Sequence, residues 1–493
     1  MLKKSSHPNT TQLEFVDIET LVPKDHLLRL INENIDFSFI MEKARPFYSE
    51  NRGRPALDPV VLFKMMLIGY LFGIRSERQL EQEIIPNAAY RWFLGLSFSD
   101  RVPDHSTISY NRINRFKGPK VFQEIFDEVV RLATQHHMVA GRVLLTDSTH
   151  IQANANKNRY TMQVVTETPH EYLEELEQAV NQDREMNGKK PLPPAGEEKA
   201  EKNQKVSTTD PESGYMMRKG KPEGFFYLDH RTVDHKYNII TDVHVTPGNV
   251  NDSTVYIERL KRQIETFGFD ATLEALALDS GYMTPYICKK TLEMNIYPAI
   301  AERTAPTKKG TLPKSQFTYD KERDVYTCPT GETLRYATTN REGYREYRAD
   351  PAKCSSCPML EQCTSNANKR RTIQRHVWED YKEKAAEYRQ SEPGVATYKL
   401  RCQTIERSFA DAKELHGLRR CRFRGKEKTQ EQALMTAIAQ NLKKIARHLA
   451  SNGPIGEVDP RLLFKRYFVF FSLQRPFFSP EKRCYFNSLI FSS

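Results

Sequence analysis

The 493-residue sequence has no apolar run long enough to cross a membrane. A membrane helix needs roughly 18 consecutive apolar residues. The longest candidate, residues 62–74, is interrupted by Lys64 and by two glycines. The first residues, MLKKSSHPNTTQ, carry charge but lack the apolar segment of a secretory signal peptide. We therefore expect a soluble, cytoplasmic protein.

A nucleotide-binding loop is also missing. The sequence contains no Gly-x4-Gly-Lys-Ser/Thr pattern, so nothing in it supports nucleotide hydrolysis. It contains no internal repeat either. Hydrophobic residues still make up 39% of the chain, which is enough apolar material for folded cores and argues against a wholly disordered chain. At roughly 150 residues per domain, the length predicts about three domains.

The net charge of +11 is concentrated in one late segment. Residues 369–447 contain 20 Lys or Arg and 10 Asp or Glu, whereas residues 1–131 contain 18 and 17. A positive charge confined to one segment suits a polyanionic partner better than a general effect on solubility. We therefore expect an anion-binding surface in this segment.

Three acidic residues far apart in the sequence stand out. Asp147 interrupts the apolar strand VLLTDSTH, Asp279 ends the apolar strand LEALALDSGY, and Glu406 lies on a predicted helix that continues into a basic stretch. A carboxylate in an apolar strand is costly unless it is paired or bound to a metal ion. Taken singly, each has an ordinary explanation: a turn cap, an Asx turn and a solvated helix face.

Taken together, the three carboxylates predict a site for phosphoryl transfer. Mg²⁺ prefers oxygen ligands, and two such ions about 3.5–4 Å apart stabilise both the attacking and the leaving oxygen of an in-line displacement. We expect Mg²⁺ or Mn²⁺ there. Basic residues beside the site would then hold a DNA backbone. These are Lys413, Arg419, Arg420, Arg422 and Arg424, with Arg112 as a further candidate whose alternative is a solvated face.

Blocks around these residues resemble those of the DDE transposases of bacterial insertion sequences. The resemblance spans about positions 52–425 and implies an RNase H-like catalytic fold with Asp147, Asp279 and Glu406 as its acidic triad. It also implies a Glu-x6-Lys signature at Glu406 and Lys413. Tyr398 and Arg401 precede Glu406 by one residue more than in one related group, so their roles stay open. The matching blocks are GRPALDPVVLFKMM, YRWFLGLSFSDRVPDHSTISYNR, LTDSTHIQANANK, VTPGNVNDS, LDSGY and IERSFADAKELHGLRRCRFRG.

The resemblance implies a metal-dependent enzyme that cleaves DNA at the inverted repeats of an element and joins the freed 3′ ends to target DNA. It also implies a homodimer or larger assembly and an N-terminal domain that recognises the element ends. Two other interpretations are a decayed or non-catalytic DNA-binding protein and an RNase H-like nuclease without strand transfer. The intact triad argues against the first, and the N-terminal module with the basic segment argues against the second.

Four of the eight cysteines lie between positions 328 and 363, which is too clustered for a spread-out disulfide framework. Cys354-x2-Cys357, with Cys328 and Cys363, offers four thiolates for a structural zinc ion. The unequal spacing leaves reduced free thiols and a redox role as alternatives. The resemblance includes a cysteine-bearing insertion before the glutamate, which supports zinc.

We expect an α/β protein with an RNase H-like mixed sheet and flanking helices, an all-helical N-terminal domain and a small zinc-ribbon-like insertion. Asn249 and Asp252 in the PGNVNDS segment are expected to close a strand and cap a helix, with a site-lining role as the alternative. The predicted domains are a helical DNA-end-binding domain at 1–135, a first part of the catalytic core at 136–302 with a polar insertion at 155–217, the cysteine-bearing insertion at 303–370, a helical second part of the core at 371–452, and an aromatic tail without an assigned role at 453–493.

Overall fold

The computed structural model describes residues 15–49, 56–116, 118–166, 171–193, 201–217, 222–302 and 311–452. The chain forms two compact units. The first contains the described residues up to Val139, the segment Ala410–Leu418 and the described residues from Gln430 onward. The second contains Ala140–Phe409 and Arg419–Thr429. The aromatic tail expected at 453–493 lies outside the described residues.

Helices occur in both units and dominate the first. The α-helices among the described residues are α1 (Ile18–Leu21), α2 (Leu27–Asn34), α3 (Ser38–Ala44), α4 (Pro59–Leu71), α5 (Glu77–Ile84), α6 (Ala88–Leu94), α7 (His105–Tyr110), α8 (Lys120–Gln135), α9 (Glu171–Met186), α10 (Tyr256–Phe267), α11 (Pro285–Glu293), α12 (Pro351–Ser355), α13 (Leu360–Cys363), α14 (Glu379–Gln390), α15 (Glu392–Glu414) and α16 (Lys426–Asn452). None of them is long and apolar enough to span a bilayer.

The strands all belong to the second unit. They are β1 (Val143–Gln152), β2 (Tyr160–Thr166), β3 (Glu201–Ser207), β4 (Gly214–Met216), β5 (Gly224–Asp234), β6 (Ile240–Pro247), β7 (Ala275–Leu278), β8 (Tyr297–Ile300), β9 (Thr318–Asp320), β10 (Val325–Thr327), β11 (Thr333–Thr339), β12 (Tyr344–Arg348) and β13 (Thr372–His376).

Local sequence signals explain how the central helix of the first unit begins. The Asp58 carboxylate accepts a hydrogen bond from the Val60 N–H at 2.7 Å, which is a helix N-cap. Pro59 occupies the first helical position, where a missing N–H is not needed. Ten of the thirteen residues of α4 are buried. This helix therefore lies in the interior of the first unit and presents no broad polar face.

The C-terminal helix joins the first unit from Gln430 onward. Its residues Leu434, Ile438 and Leu442 are fully buried. Residues 371–452 are expected from the sequence to belong to the catalytic core, so the structural unit and the expected domain differ in this stretch. The five-part division of the sequence stays a prediction.

The main sheet of the second unit has the strand order of the RNase H-like fold. Strand β5 pairs antiparallel with β1 on one side and with β6 on the other, and β4 also pairs with β5. On its other side β1 pairs parallel with β7, which pairs parallel with β8. The order β6-β5-β1-β7-β8 therefore corresponds to strands 3-2-1-4-5. The expectation of an RNase H-like mixed sheet is confirmed.

Two insertions extend the second unit. Between β1 and β5 the chain forms the two-stranded ribbon β2–β3 together with α9, within the predicted polar insertion. After β8 it forms a separate antiparallel sheet in the order β13-β12-β11-β10-β9. This second sheet has its own core, with Tyr326, Leu334 and Tyr347 each at most 2% exposed. The short helices α12 and α13 beside it carry Cys354 and Cys363, and Cys357 lies between the two helices.

Candidate active site

The sheet brings the two aspartates to neighbouring positions. In the parallel pairing of β1 with β7, Thr146 lies opposite Leu278. Asp147 directly follows Thr146, and Asp279 directly follows Leu278. The two aspartates therefore lie next to each other. The Asp147 side chain is 18% exposed and that of Asp279 is 47% exposed. Residues far apart in the sequence thus meet because adjacent parallel strands share one register.

Helix α15 adds the third acid and an arginine. The Arg401 Nη2 atom lies 2.6 Å from Asp147 Oδ2 and 3.9 Å from Asp279 Oδ1. Its Nη1 atom lies 4.0 Å from Glu406 Oε1. The Arg401 side chain is 9% exposed, whereas that of Glu406 is 57% exposed. One guanidinium group therefore lies within ion-pair distance of all three predicted catalytic acids.

Burial and charge act against each other at this site. Burial raises the pKa of Asp147 to about 6, although the Arg401 charge lowers it. The nearby carboxylates of Asp279 and Asp252 raise it further. Burial alone would lower the pKa of Arg401, but the charges of Asp147 and Asp279 hold it above its usual value. The site therefore has more negative charge than its single guanidinium neutralises.

The three acids do not stand at metal-ligand spacing. In the described part of the chain, the one group of three His, Cys, Asp or Glu side chains whose ligand atoms all lie within 4.8 Å of one another is Glu81, Asp104 and His105. That group lies in the first unit. These side chains stabilise the start of helix α7. The Asp104 carboxylate caps the helix by accepting from the Ser106 N–H at 2.7 Å. Glu81 accepts from both His105 Nδ1 and the His105 N–H.

A fourth carboxylate borders the triad. Asp252 Oδ1 lies 3.4 Å from Nδ1 of His230, whose side chain is fully buried in β5. The other ring nitrogen of His230 lies 2.8 Å from Thr246 Oγ1. A Cβ atom placed on Gly281 would lie 3.8 Å from Asp252 Oδ2, so this carboxylate faces the turn that follows Asp279. The cap expected of Asp252 is supplied by Asn251, which accepts from Ser253 N–H at 3.3 Å.

A buried ion pair supports the strand beside Asp147. Arg231 of β5 lies opposite Asp147 in the antiparallel register. Its Nε donates to Asp229 Oδ2 at 2.8 Å, and both side chains are fully buried. Its Nη1 reaches Ser408 Oγ of α15 at 3.4 Å. Arg231 therefore connects the strand next to Asp147 with the helix that carries Glu406.

The basic residues after Glu406 do not continue the helix, which corrects the sequence prediction. Helix α15 ends at Glu414, and Gly417 adopts a left-handed conformation with φ of 71°, which terminates a helix readily. The chain then runs beside the end of β1. There Gln152 N–H donates to the Arg419 carbonyl at 3.1 Å, and Cys421 N–H donates to the Gln152 carbonyl at 2.8 Å.

The predicted DNA-contacting residues differ in their surroundings. Arg419, Arg420 and Arg424 are exposed, and Arg422 is half-buried. Lys413 lies two turns after Glu406 on α15 and is half-buried. Arg112 differs from its expected role, because it is buried within the first unit. Its Nε lies 2.9 Å from Glu77, and its Nη1 lies 3.6 Å from Glu431.

The clustered cysteines approach one another without reaching metal-ligand spacing. Cys328, Cys354, Cys357 and Cys363 are free thiols, and all are half-buried. Burial raises the pKa of Cys363, and the charges of the other three cysteines raise it further. The Glu332 N–H donates to Cys328 Sγ at 3.3 Å. A backbone N–H that donates to Cys328 Sγ is compatible with a thiolate ligand of zinc.

Comparison with known proteins identifies two transposase domains in the chain. Residues 16–114 match the family model described as a transposase domain (DUF772). Residues 327–446 match the model described as a transposase DDE domain, a range that contains Glu406 but neither Asp147 nor Asp279. No curated protein matches the sequence.

A solved structure that is similar over most of the chain is the cryo-EM structure of the piggyBac transposase synaptic complex with hairpin DNA. The similarity covers 92% of this chain and 82% of that chain, at 10% sequence identity and a TM-score of 0.29. A TM-score of this size does not establish a shared fold. The RNase H-like topology rests on the strand order and directions of this protein itself.

The second match shows that the protein is an enzyme with a transposase DDE domain. Together with the N-terminal transposase domain, they show that the chain is a DDE transposase of the insertion-sequence type. Such an enzyme cleaves and transfers DNA strands, and DDE transposases generally use a divalent metal ion.

Proposed function

We propose that Asp147, Asp279 and Glu406 are the catalytic residues of this transposase and that they bind Mg²⁺ or Mn²⁺. The observation that carries the proposal is the approach of three carboxylates, from two neighbouring chain segments and one helix, to a single cationic group. Carboxylate oxygens are the ligands that these ions prefer. A divalent ion bound there would stabilise charge on the attacking and leaving oxygens of a phosphodiester displacement.

The residues of the chain would orient the reacting DNA. The Asp147 carboxylate accepts hydrogen bonds from the Ser148 N–H at 2.8 Å and from Arg401 at 2.6 Å, which fix its orientation in the DNA-free protein. The larger exposure of Asp279 and Glu406 leaves their carboxylates accessible to a divalent ion, which could in turn bind a substrate phosphate. Positioning of this kind converts an encounter in solution into a reaction within one complex.

We propose that the segment after α15 holds the DNA backbone. Its arginines belong to the same unit as the three acids, and the main chain of the segment is anchored to Gln152 at the end of β1. Each phosphate that they neutralise releases counterions, which makes the affinity dependent on salt. The proposed contacts are Arg419, Arg420, Arg422 and Arg424, with Lys413 on the preceding helix.

We propose that the N-terminal helical domain recognises the inverted repeats of the element. Its support is the match of residues 16–114 to a transposase domain. Transposition joins two ends of one element to a target, so we also propose that the enzyme acts as a homodimer or larger assembly.

A structural zinc ion is proposed for Cys328, Cys354, Cys357 and Cys363. Support comes from four thiols in one half-buried region beside the second sheet. Purified protein should carry nearly one zinc per chain, measured by elemental analysis, and Cys357→Ser should lower that content. Protein without zinc after purification in metal-replete medium would contradict this site.

The test of catalysis uses labelled DNA that carries the genomic flanks of the gene. Wild-type protein should nick this DNA at one defined position with Mg²⁺ and should not do so with EDTA. Asp147→Asn, Asp279→Asn and Glu406→Gln should each abolish nicking while leaving DNA binding intact. Asp270→Asn, an exposed aspartate outside the site, serves as the matched control.

The pattern of products distinguishes the possible outcomes. Cleavage at scattered positions would indicate a general nuclease. Specific binding without cleavage under all metals would indicate a non-catalytic DNA-binding protein. Unchanged nicking by Asp279→Asn would contradict the proposed triad.

A further inference from the structure

Arg401 stands in the position that a bound cation would take. Its guanidinium lies within 4.0 Å of Asp147, Asp279 and Glu406, the acids proposed to bind metal. The shortest of these contacts, 2.6 Å to Asp147 Oδ2, is a charge-assisted hydrogen bond. An exposed arginine would swing freely into solvent, but this side chain is only 9% exposed.

Two cations cannot share this position without repulsion. A divalent ion bound by the same oxygens would lie within a few ångströms of the guanidinium, where like charges repel strongly in a partly desolvated site. The carboxylates are also spread around the guanidinium instead of being drawn to metal-ligand spacing. Metal binding by these acids therefore requires Arg401 to move or to give up its contacts.

We propose that Arg401 is an internal counter-ion of the DNA-free enzyme, which competes with divalent cations for the three carboxylates and so holds down metal affinity until DNA is bound. This inference rests on the proposed metal-binding role of the triad. It assigns Arg401 a positioning role that neither the family matches nor the spacing of the sequence supplies.

DNA provides the alternative partner that such an arginine needs. A guanidinium that leaves a buried carboxylate must find another acceptor, and a backbone phosphate accepts two of its N–H groups in the same planar geometry. Arg401 bound to a phosphate would free the carboxylates for metal. Because linkage is reciprocal, metal would then tighten DNA binding by the factor by which DNA tightens metal binding.

The test measures Mn²⁺ binding to the full-length protein without DNA by isothermal titration calorimetry. Arg401→Gln removes the competing charge, so it should bind Mn²⁺ at least about tenfold more tightly than the wild type, as expected for removing a like charge in contact with the site. Arg407→Gln is the matched control, because it removes the same charge from an exposed residue next to Glu406. The control should bind Mn²⁺ like the wild type.

Additional variants separate the possible failures. Asp279→Asn in each background identifies Mn²⁺ binding at the triad. If no Asp279-dependent binding is found, even in Arg401→Gln, both the metal site and the role of Arg401 are wrong. If such binding is found but Arg401→Gln binds no more tightly than the wild type, only the role of Arg401 is wrong.

A second variant keeps the test valid if Arg401→Gln fails to fold, as judged by circular dichroism. Arg401→Lys retains one positive charge but lacks the planar fork that reaches three carboxylates. Its Mn²⁺ affinity should lie between those of the wild type and the level expected for Arg401→Gln. Affinity equal to or below that of the wild type would overturn the inference.

Discussion

The side chains around the proposed triad divide into half-exposed carboxylates and buried charged groups within the fold. Asp279 and Glu406 are about half-exposed, as groups that meet a substrate must be. Arg231 and Asp229 on the strand next to β1 are fully buried and form an ion pair with each other. A buried ion pair adds little net stability compared with apolar residues, but removing one partner leaves an uncompensated charge. Single and double substitutions of Arg231 and Asp229 should therefore differ in stability.

Arg231→Met should destabilise the protein by about 3–5 kcal/mol, because the Asp229 carboxylate would lose its cationic partner in the interior. Asp229→Asn combined with Arg231→Met should recover part of that loss. Urea unfolding followed by circular dichroism measures both. Arg323→Met, at an 82% exposed side chain, should change stability by no more than about 0.5 kcal/mol. A double variant less stable than Arg231→Met would contradict the account of the pair.

Asp252→Asn should lower the rate of strand cleavage by about tenfold or more, equivalent to about 1.4 kcal/mol. Its carboxylate lies close enough to Asp147 to add to the rise in pKa that burial causes there, and its Oδ1 atom lies 3.4 Å from Nδ1 of His230. Removing the charge should therefore weaken cation binding at the triad. A single-turnover cleavage assay measures the effect, with Asp270→Asn as the control. Unchanged cleavage would restrict Asp252 to a role in the turn.

At the scale of elements, main-chain hydrogen bonds fix the basic segment, residues 419–424, to the end of β1. The contacts that fix it to β1 use main-chain atoms of Arg419 and Cys421. Among the side chains of the segment, Arg424 adds a hydrogen bond from its Nε to the Asn154 carbonyl at 3.2 Å. Substitution of the side chains should affect DNA binding without unfolding the segment.

Replacing Arg419, Arg420 and Arg424 together by glutamine should weaken DNA binding and make it less sensitive to salt. If all three contact phosphates, the slope of log K against log salt should become shallower by about 2–3. Fluorescence anisotropy at several salt concentrations measures the slope. The matched control replaces the exposed residues Lys261, Lys321 and Arg323. An equal change of slope in both triple variants would show that only total charge matters.

At the scale of the whole molecule, the helical unit is discontinuous in sequence. It contains the described residues up to Val139 and those from Gln430 onward, and the buried side of α16 supplies part of its interior. His416 is also buried in this unit, where its Nδ1 lies 2.8 Å from the Tyr70 carbonyl oxygen. A single segment of the chain therefore does not contain the complete core of the unit.

A fragment of residues 1–139 should consequently not fold stably, because the surfaces covered by α16 would be exposed to water. The same fragment joined through a Gly/Ser linker to residues 426–452 should be more helical and melt cooperatively. Thermal melting followed by circular dichroism compares the two. Equal stability of both fragments would show that residues 1–139 form a complete domain.

Local sequence patterns determined a large part of this protein. Apolar strands interrupted or ended by acids indicated Asp147 and Asp279, and a predicted helix before a basic stretch indicated Glu406. The resemblance implied the RNase H-like fold, which the strand order confirms. The Asp58–Pro59 helix start was equally readable, because capping depends on neighbours along the chain. These features need only short-range interactions or one family pattern.

The position of Arg401 among the acids, the end of α15 and the place of α16 were decided by tertiary structure. Residues five apart on a helix point about 140° away from each other, so the sequence did not place Arg401 and Glu406 at one site. The approach of Asp147 from β1 draws the arginine there. The end of α15 and the joining of α16 to the first unit also depend on packing between distant segments. Such contacts leave no local periodicity, which is why the sequence indicated the three acids but not the cation among them.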